Sequence, residues 1–265
     1  ERSFVTDIRQ GMSDDDCQQE QLIGWLYQFY IIDRKDDAEQ NKTKKGGLKS
    51  DEQAAATQLF TPHWIVRYMV ENTLGRMWLA MHPQSNLKAL MPYYIAPVEN
   101  EKVPIPEEIK GVEDIRFIDP CMGSGHVLVY AFELFCHIYE EEGYQPSQIP
   151  NLIFEKNLFG LDIDPRCYQL ASFALSMKAR SFYSRFFRRA MAPNVIALHN
   201  VDTNTIAEAG NWPEKSTIWS FANVDTIGSL LKITPAEYES IHIPSTIWDA
   251  PLKELKLQAK FLSEK

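Results

Sequence analysis

The chain has 265 residues, which suits one domain of ordinary size with an added helical region. Hydrophobic residues make up 45% of it and charged residues 24%, a globular composition that excludes collagen-like and wholly disordered chains. The formal net charge of −9 has the wrong sign for a surface that grips phosphates, so charge alone argues against a nucleic-acid partner.

Two further classes are disfavoured by simple patterns. No stretch reaches the roughly 18 apolar residues that a membrane helix needs, and the N-terminal region lacks the apolar core of a signal peptide. The four cysteines, at positions 17, 121, 136 and 167, form no Cys-x-x-Cys pair, which argues against zinc and for a reducing compartment. We therefore expect a cytoplasmic protein with free thiols, no metal and no membrane contact.

The N-terminal region, residues 1–56, predicts one helix and one loop. Ser13 is followed by three aspartates, a helix-start signal in which the hydroxyl caps the first turn and the carboxylates complement the helix dipole. Apolar and aromatic residues continue this helix to about Tyr30. Residues 33–51 carry many charges of both signs and no apolar periodicity, so they predict a surface loop.

Residues 57–113 predict a helical subdomain and an irregular connector. Thr61 and Pro62 suit a helix start, with Thr61 as the cap and Pro62 at the first helical position, where its missing N–H costs nothing. The helix is expected to end near Met81, and five prolines between positions 83 and 106 then indicate the connector. The expected apolar side of this helix comprises Trp64, Ile65, Tyr68, Met69 and Thr73.

From residue 114 the pattern changes to short apolar runs that alternate with long amphipathic segments, which predicts parallel strands joined by helices. Polar residues follow the predicted strands, so they are expected to meet at the carboxyl edge of the sheet, where ligands bind. After position 203 only short helical pieces are predicted, around 226–232, 235–241 and 249–263. The predicted strands are 115–119, 158–162 and 194–198, and the helices between them are 125–142 and 165–189.

The most informative motif is Asp-Pro-Cys-Met-Gly-Ser-Gly at 119–125, where a strand turns into a helix. Gly123 and Gly125 let the backbone approach a ligand at the start of that helix. The third glycine of a dinucleotide fingerprint is absent, and no Gly-Lys-Ser/Thr follows for a phosphate loop. The carboxylate of Asp119 would instead suit a ligand with an ammonium group, such as S-adenosylmethionine; the alternative is a tight turn without a ligand.

A second acidic motif follows the next predicted strand. Asp162 comes 43 residues after Asp119, which leaves room for one helix and one strand. A carboxylate in this position can accept both hydroxyl groups of a ribose, and Ile163 could pack on an adenine ring. Asp164 is better explained as the N-cap ahead of Pro165.

Taken together, these motifs resemble the N-terminal half of adenine-N6 DNA methyltransferases, and most closely the large adenine-specific enzymes of BREX phage-defence systems. The segments that carry the resemblance, in chain order, are residues 24–30, 57–66, 119–125, 160–164 and 228–231.

The resemblance implies a Rossmann-like α/β methyltransferase core with a partial parallel sheet over residues 114–202 and a helical N-terminal subdomain. It implies S-adenosylmethionine as cofactor. It further implies a bacterial or archaeal cytoplasm, double-stranded DNA bound mostly by regions outside this chain, and other phage-defence subunits as candidate partners. The cofactor-binding residues that it implies are Phe60, Thr61, Pro62, Asp119, Pro120, Met122, Gly123, Gly125, Asp162, Ile163 and Asp202. Of these, Asp202 has the loosest match and could equally be an ordinary turn aspartate.

The chain departs from the family at its catalytic motif. Such enzymes use an Asn/Asp-Pro-Pro-Tyr/Phe loop to hold the flipped adenine, and this sequence contains neither Pro-Pro nor Asn-Pro. Residues 203–265 are therefore expected to lead up to a catalytic strand that is absent, so no catalytic residue is assigned. The alternatives are a non-catalytic cofactor-binding module, or a methyltransferase for RNA or protein.

One basic cluster stands apart from these motifs. Five cations lie between positions 178 and 189, interleaved with four aromatic residues. Such a pattern can bind nucleic acid, but it is equally typical of a helix whose polar face is in water, and the second interpretation is preferred. The cations are Lys178, Arg180, Arg185, Arg188 and Arg189.

Overall fold

The computed structural model describes residues 61–98, 103–210, 212–213, 216–241 and 250–263, together with Ser13, Leu22 and Tyr27. Leu22 and Tyr27 are helical, in agreement with the predicted N-terminal helix. The rest of that helix, the predicted loop at 33–51 and the predicted site residue Phe60 lie outside the described residues.

The helix predicted after Pro62 is present but changes its geometry midway. Helix α1 spans His63–Val70, a π-helical turn follows at Glu71–Gly75, and α2 spans Arg76–Met81. Pro62 is the N-cap rather than the first helical residue, and its carbonyl accepts the N–H groups at positions 65 and 66. The helix therefore begins one residue later than predicted.

The apolar side predicted for this helix is wrong. Val66, Val70, Leu74 and Trp78 form the buried stripe, at the i, i+4 spacing of a helix face. Trp64, Tyr68 and Met69 are exposed instead.

Hydrogen bonds of Glu71 fasten the π-helical turn after α1 both to the connector and to the helix that follows the first strand. The carboxylate of Glu71, which is fully buried, accepts the hydroxyl of Tyr130 at 2.7 Å and the N–H of Tyr93 at 2.6 Å. A buried carboxylate is tolerated only when it is hydrogen-bonded in this way. A short 3₁₀ helix, Asn86–Leu90, lies within the connector.

Three parallel strands form the sheet in the order β1-β2-β3. Strand β1 is Phe117–Asp119, β2 is Leu158–Asp162 as predicted, and β3 is Asn194–Ala197. In register, Asp119 pairs with Gly160, and Asp162 pairs with Ala197. The parallel α/β arrangement predicted from the sequence is thereby confirmed.

Long helices connect the strands. Helix α3, His126–Glu141, follows β1, and a short helix α4, Ile149–Leu152, continues as a π-helical turn to Asn157. Helix α5, Pro165–Phe182, follows β2 and ends seven residues before its predicted end at Arg189. Instead, a 3₁₀ turn forms at Phe186–Arg188.

The C-terminal part of the described chain is helical, as predicted. It comprises α6 (Thr203–Glu208), α7 (Val224–Ile227), α8 (Pro235–Ser240) and α9 (Ala250–Ser263), with 3₁₀ turns at Thr217–Asn223 and Gly228–Leu230.

Each face of the sheet has its own hydrophobic cluster. Leu158 and Val195 belong to the cluster that contains α1, α3 and α5. Leu161 belongs to a second cluster with the C-terminal helices, and Phe159 packs there edge-on against Phe261 at 6.1 Å. The period of two along a strand explains this division. Because both faces are covered, the polar residues at the strand ends remain at the edge of the sheet.

Two absences concern only the residues described. None of their helices combines the length and apolarity required to cross a bilayer, and no group of three or more His, Cys, Asp and Glu side chains is arranged to hold a metal ion.

Candidate functional site

The glycine turn predicted after β1 has the expected left-handed backbone. Gly123 has φ of +52° and Gly125 has φ of +87°, values that side chains rarely allow. The N–H of Gly125 donates to the carbonyl of Met122 at 2.8 Å, and Gly125 caps α3. The chain thus passes from the end of β1 to the start of α3 through a turn of six residues.

Close packing fixes this turn against its neighbours. A Cβ atom at Gly125 would lie 2.9 Å from the Cβ of Ala171 on α5. A Cβ atom at Gly160 would lie 2.6 Å from Leu128 and 2.7 Å from the sulfur of Met122. Both glycines therefore serve helix–helix and helix–strand contact, a role that is separate from any ligand.

Asp162 links the second strand to the glycine turn. Its Oδ2 accepts the N–H of Gly123 at 2.9 Å, and its Oδ1 accepts the N–H of Asp164 at 2.9 Å. The N–H of Met122 also donates to the carbonyl of Leu161 at 3.0 Å. The structure therefore brings together the two acidic strand ends that the sequence predicted would meet, Asp119 and Asp162.

The pKa values of both carboxyl groups are raised above the ordinary value for aspartate. Burial raises the pKa of the Asp119 carboxyl to about 6, against a partial lowering by the N–H of Cys121, and Asp162 raises it as well. Burial likewise raises the pKa of Asp162, although the backbone N–H groups of Asp164, Gly123 and Ile163 oppose it. Two desolvated like charges favour a cationic ligand between them.

Asp164 has the capping role predicted for it. Its Oδ1 accepts the N–H of Arg166 at 2.9 Å and thereby caps α5. Its Oδ2 accepts the hydroxyl of Tyr27 at 2.8 Å, and the Arg166 guanidinium lies 6.0 Å from the centre of the Tyr27 ring. No pattern in the sequence indicated that Tyr27 would lie at this site, because an aromatic residue alone does not identify its partner.

The start of α1 lies beside the start of α3. The rings of His63 and Tyr130 are 6.4 Å apart, and His63 contributes to the lowered pKa of His126. Burial is the main cause that brings the pKa of His126 to about 4, so this imidazole is neutral near pH 7. Nδ1 of His126 lies 3.1 Å from the hydroxyl of Ser124. His63 therefore lies near the start of α3, and Thr61 and Pro62 come directly before it in the chain.

Two predicted residues lie at the C-terminal side of the site. Ile163 is partly exposed, and a Cβ atom at Gly228 would lie 3.8 Å from its Cγ2, so the segment Gly228–Leu230 passes beside it. Asp202 is exposed and caps α6, with Oδ2 accepting the N–H of Asn204 at 2.9 Å. This is the turn role that the sequence left open, and Oδ1 is not used in the cap.

The remaining predicted residues belong to the glycine turn. Pro120 is exposed directly after β1, whereas Met122 is buried and its sulfur faces Gly160. Cys121, between them, is exposed. Met122 thus packs beneath the turn, whereas Pro120 and Cys121 face outwards.

Comparison with known proteins identifies long relatives of this chain. It is 40% identical over 248 residues to the adenine-specific methyltransferase BrxX of Escherichia coli O9:H4 (strain HS). This match covers 90% of the present chain and 20% of BrxX. The chain is also 40% identical over 206 residues to the adenine-specific methyltransferase PglX of Lacticaseibacillus casei (strain Zhang), covering 73% of this chain and 17% of that protein. No family model matches the chain.

The resemblance drawn from the motifs is confirmed by these two relatives, since identity of 40% extends over most of the chain. The chain spans about a fifth of the length of the curated relatives that it matches.

Proposed function

We propose that this chain forms the S-adenosylmethionine-binding part of a DNA adenine-N6 methyltransferase of the BREX type. The similarity to two adenine-specific methyltransferases supports the reaction class. The observation that carries the proposal is that Asp119 and Asp162 lie at the ends of neighbouring strands, where Asp119 leads into the glycine turn and Asp162 accepts the N–H of Gly123.

The charge of the site fits this cofactor. S-adenosylmethionine carries an ammonium and a sulfonium group, and it supplies an activated methyl group when bound. Burial raises the pKa values of both carboxyl groups, and a neighbouring carboxylate adds to it in each case, Asp162 for Asp119 and Asp164 for Asp162. The cations of the cofactor would favour the ionised form of both groups. A phosphate-bearing cofactor would instead add to the negative charge.

Each residue of the site has a proposed role. Asp119 would accept from the amino group, and Gly123 and Gly125 let that end of the cofactor approach the backbone. Asp162 would accept from the ribose hydroxyls with the lone pairs that the N–H groups of Gly123 and Asp164 leave available. Ile163 would pack on the adenine ring. The residues proposed around the methionine carboxylate and the adenine amine are Phe60, Thr61, Pro62 and Asp202.

The sheet suggests how the rest of the enzyme would be added. The order β1-β2-β3 corresponds to one half of a doubly wound sheet, and within the described residues β1 pairs only with β2. Ile118, on β1, is 38% exposed. We place a fourth strand, with the catalytic loop, on this open edge. The flipped adenine, the DNA duplex and any partner subunits of the defence system would then be met largely outside this chain, in the cytoplasm.

Calorimetry tests the cofactor site directly. We expect the 265-residue chain to bind S-adenosylhomocysteine, and Asp162→Asn and Asp119→Asn each to weaken binding by about tenfold or more, as loss of a charge-assisted bond predicts. Glu239→Gln is the matched control, because Glu239 is exposed on α8 and is not one of the proposed site residues. Unchanged affinity in both site variants, or no binding by the unsubstituted chain, would contradict the proposal.

A methyl-transfer assay tests whether this chain lacks the catalytic part of the enzyme. With labelled S-adenosylmethionine and duplex DNA, the 265-residue chain should transfer no methyl group, because it contains no Asn/Asp-Pro-Pro-Tyr/Phe motif. Methylated adenine in the product would show that other residues hold the flipped base. Transfer to RNA or protein would favour a different acceptor.

A further inference from the structure

A second concave site lies at the opposite edge of the sheet, around the basic cluster. Because α5 ends at Phe182, the cations after it do not lie on a solvated helix face, which corrects the preferred interpretation of the sequence. Instead, Arg185, Arg188 and Arg189 line a cavity of about 600 Å³. Asn151, which precedes β2, lines it too, so the cavity sits at the amino ends of the strands.

The cavity is strongly basic in an acidic chain. Three guanidinium groups face one carboxylate, that of Glu155, whereas the whole chain has a net charge of −9. All three arginines are exposed, and none of their side chains forms an ion pair or hydrogen bond with a residue that the structure describes. Cations gathered without internal partners leave their donors available to an anion.

Packing and hydrogen bonds fix the backbone of the arginine segment, residues 185–189. Phe186 is buried and packs edge-on against Phe154, with ring centres 5.8 Å apart. The side chain of Asn151 bridges the segment, since its Nδ2 donates to the carbonyl of Arg189 at 3.0 Å and its Oδ1 accepts the N–H of Met191 at 3.1 Å. The backbone that carries the cations is therefore fixed, which lowers the ordering cost of binding.

The other walls suit a nucleotide better than a simple ion. Tyr183 and Phe186 add aromatic surface, and Gln148 and Asn151 add amide groups. The volume lies within the range of about 300 to 1,000 Å³ that is usual for small-molecule sites. Guanidinium groups beside aromatic rings match the phosphate and the base of a nucleotide.

We propose that this cavity binds the phosphate of a nucleotide, presented either free or within a nucleic-acid strand. The guanidinium groups of Arg185, Arg188 and Arg189 hold the phosphate oxygens, and the aromatic wall lies against the base. The site is independent of the proposed cofactor site, because the two occupy opposite edges of the sheet.

Two probes separate the sources of the phosphate. Adenosine monophosphate represents the free nucleotide, and a fluorescein-labelled single-stranded oligonucleotide, followed by anisotropy, represents the strand. The test variant is Arg185→Gln/Arg188→Gln/Arg189→Gln. The control variant, Lys88→Gln/Arg180→Gln/Lys232→Gln, removes the same charge from exposed residues that do not line the cavity.

We expect the test variant to weaken binding of at least one probe by about tenfold or more, and the control by no more than about threefold. For the oligonucleotide, the slope of log affinity against log salt should also fall by about two, since each phosphate contact contributes about 0.7. Binding of the mononucleotide alone assigns the site to a free nucleotide; binding of the strand assigns it to nucleic acid.

Two results would overturn the proposal: the unsubstituted chain binds neither probe, or the test and control variants bind both probes equally well. Melting temperature and affinity for S-adenosylhomocysteine are measured for every variant. Values near those of the unsubstituted chain show that the arginine changes left the fold and the cofactor edge intact.

Discussion

The hydroxyl of Tyr27 donates a 2.8 Å hydrogen bond to Oδ2 of Asp164, across 137 positions of sequence. Asp164 is 4% exposed, and its N–H is bound in turn by the carboxylate of Asp162. Burial is the main cause that raises the pKa of Tyr27 well above its usual range, and the carboxylate of Asp164 adds to it. An N-terminal residue is thus tied to the turn that carries the proposed ribose contact.

Tyr27→Phe tests the worth of this bond. We expect the free energy of unfolding to fall by about 1 to 2 kcal/mol, because a buried carboxylate loses one of its donors. Chemical denaturation measures the change. Tyr168→Phe is the matched control, since Tyr168 lies on α5 with its side chain exposed and should change stability little. Equal effects of the two substitutions would contradict a specific role for Tyr27.

Asp119→Asn should make the chain more stable and bind cofactor less well. Because the pKa of Asp119 is about 6 when folded and 3.8 is its ordinary value, the folded chain holds this proton more tightly. Its contribution to stability is full below about pH 4 and is lost as the pH rises through 6. At pH 7 the neutral amide should therefore add about 1 to 2 kcal/mol, after allowance for solvent screening.

The same titration predicts a pH dependence of binding. A cationic cofactor favours ionised Asp119, so the affinity of the unsubstituted chain should fall below about pH 6, by up to about tenfold per pH unit. Calorimetry between pH 5 and 8 measures it. In Asp119→Asn this part of the pH dependence should disappear; its persistence would assign the proton to another group.

Gly125→Ala and Gly143→Ala separate backbone strain from crowding. Both glycines have positive φ, +87° and +83°, but an added Cβ meets Ala171 at 2.9 Å only at Gly125 and lies in open space at Gly143. Strain alone should cost Gly143→Ala about 1 kcal/mol. Gly125→Ala should cost about 2 kcal/mol more, because α3 and α5 must also separate. Similar losses in denaturation would show that α3 and α5 tolerate the methyl group.

Local pattern was sufficient for the sheet and the glycine turn. Both ends of β2 were predicted correctly, because an apolar run that ends at Asp162 has few alternatives. The turn was predicted correctly because its two glycines, Gly123 and Gly125, allow the positive φ that such a turn needs. The buried side of α1 could not be predicted, since Trp64 and Val66 are both apolar and the packing partner decides which is buried.

Long-range contacts could not be predicted from the sequence either. The bond from Tyr27 to Asp164 joins residues that no local spacing relates, and the turn that ends α5 depends on Phe186 packing against Phe154 from another element. The same packing converts an apparently amphipathic run of arginines into the lining of a cavity.

The two interpretations of Asp202, as a helix cap and as a contact for the adenine amine, can be tested separately. As the N-cap of α6 it accepts the N–H of Asn204 through Oδ2, so Asp202→Ala should cost about 1 kcal/mol of stability. Serine caps helices about as well as aspartate, so Asp202→Ser should restore most of that loss. A hydroxyl is, however, too short and uncharged to replace a carboxylate contact with the adenine amine.

We therefore expect Asp202→Ser to fold like the unsubstituted chain yet bind S-adenosylhomocysteine severalfold more weakly, as loss of one hydrogen bond predicts. Calorimetry and a thermal melt on the same samples give both quantities. If Asp202→Ser binds as well as the unsubstituted chain, Asp202 is a helix cap alone, and the adenine amine must be met by another group at this edge, such as the backbone of the segment Gly228–Leu230 beside Ile163.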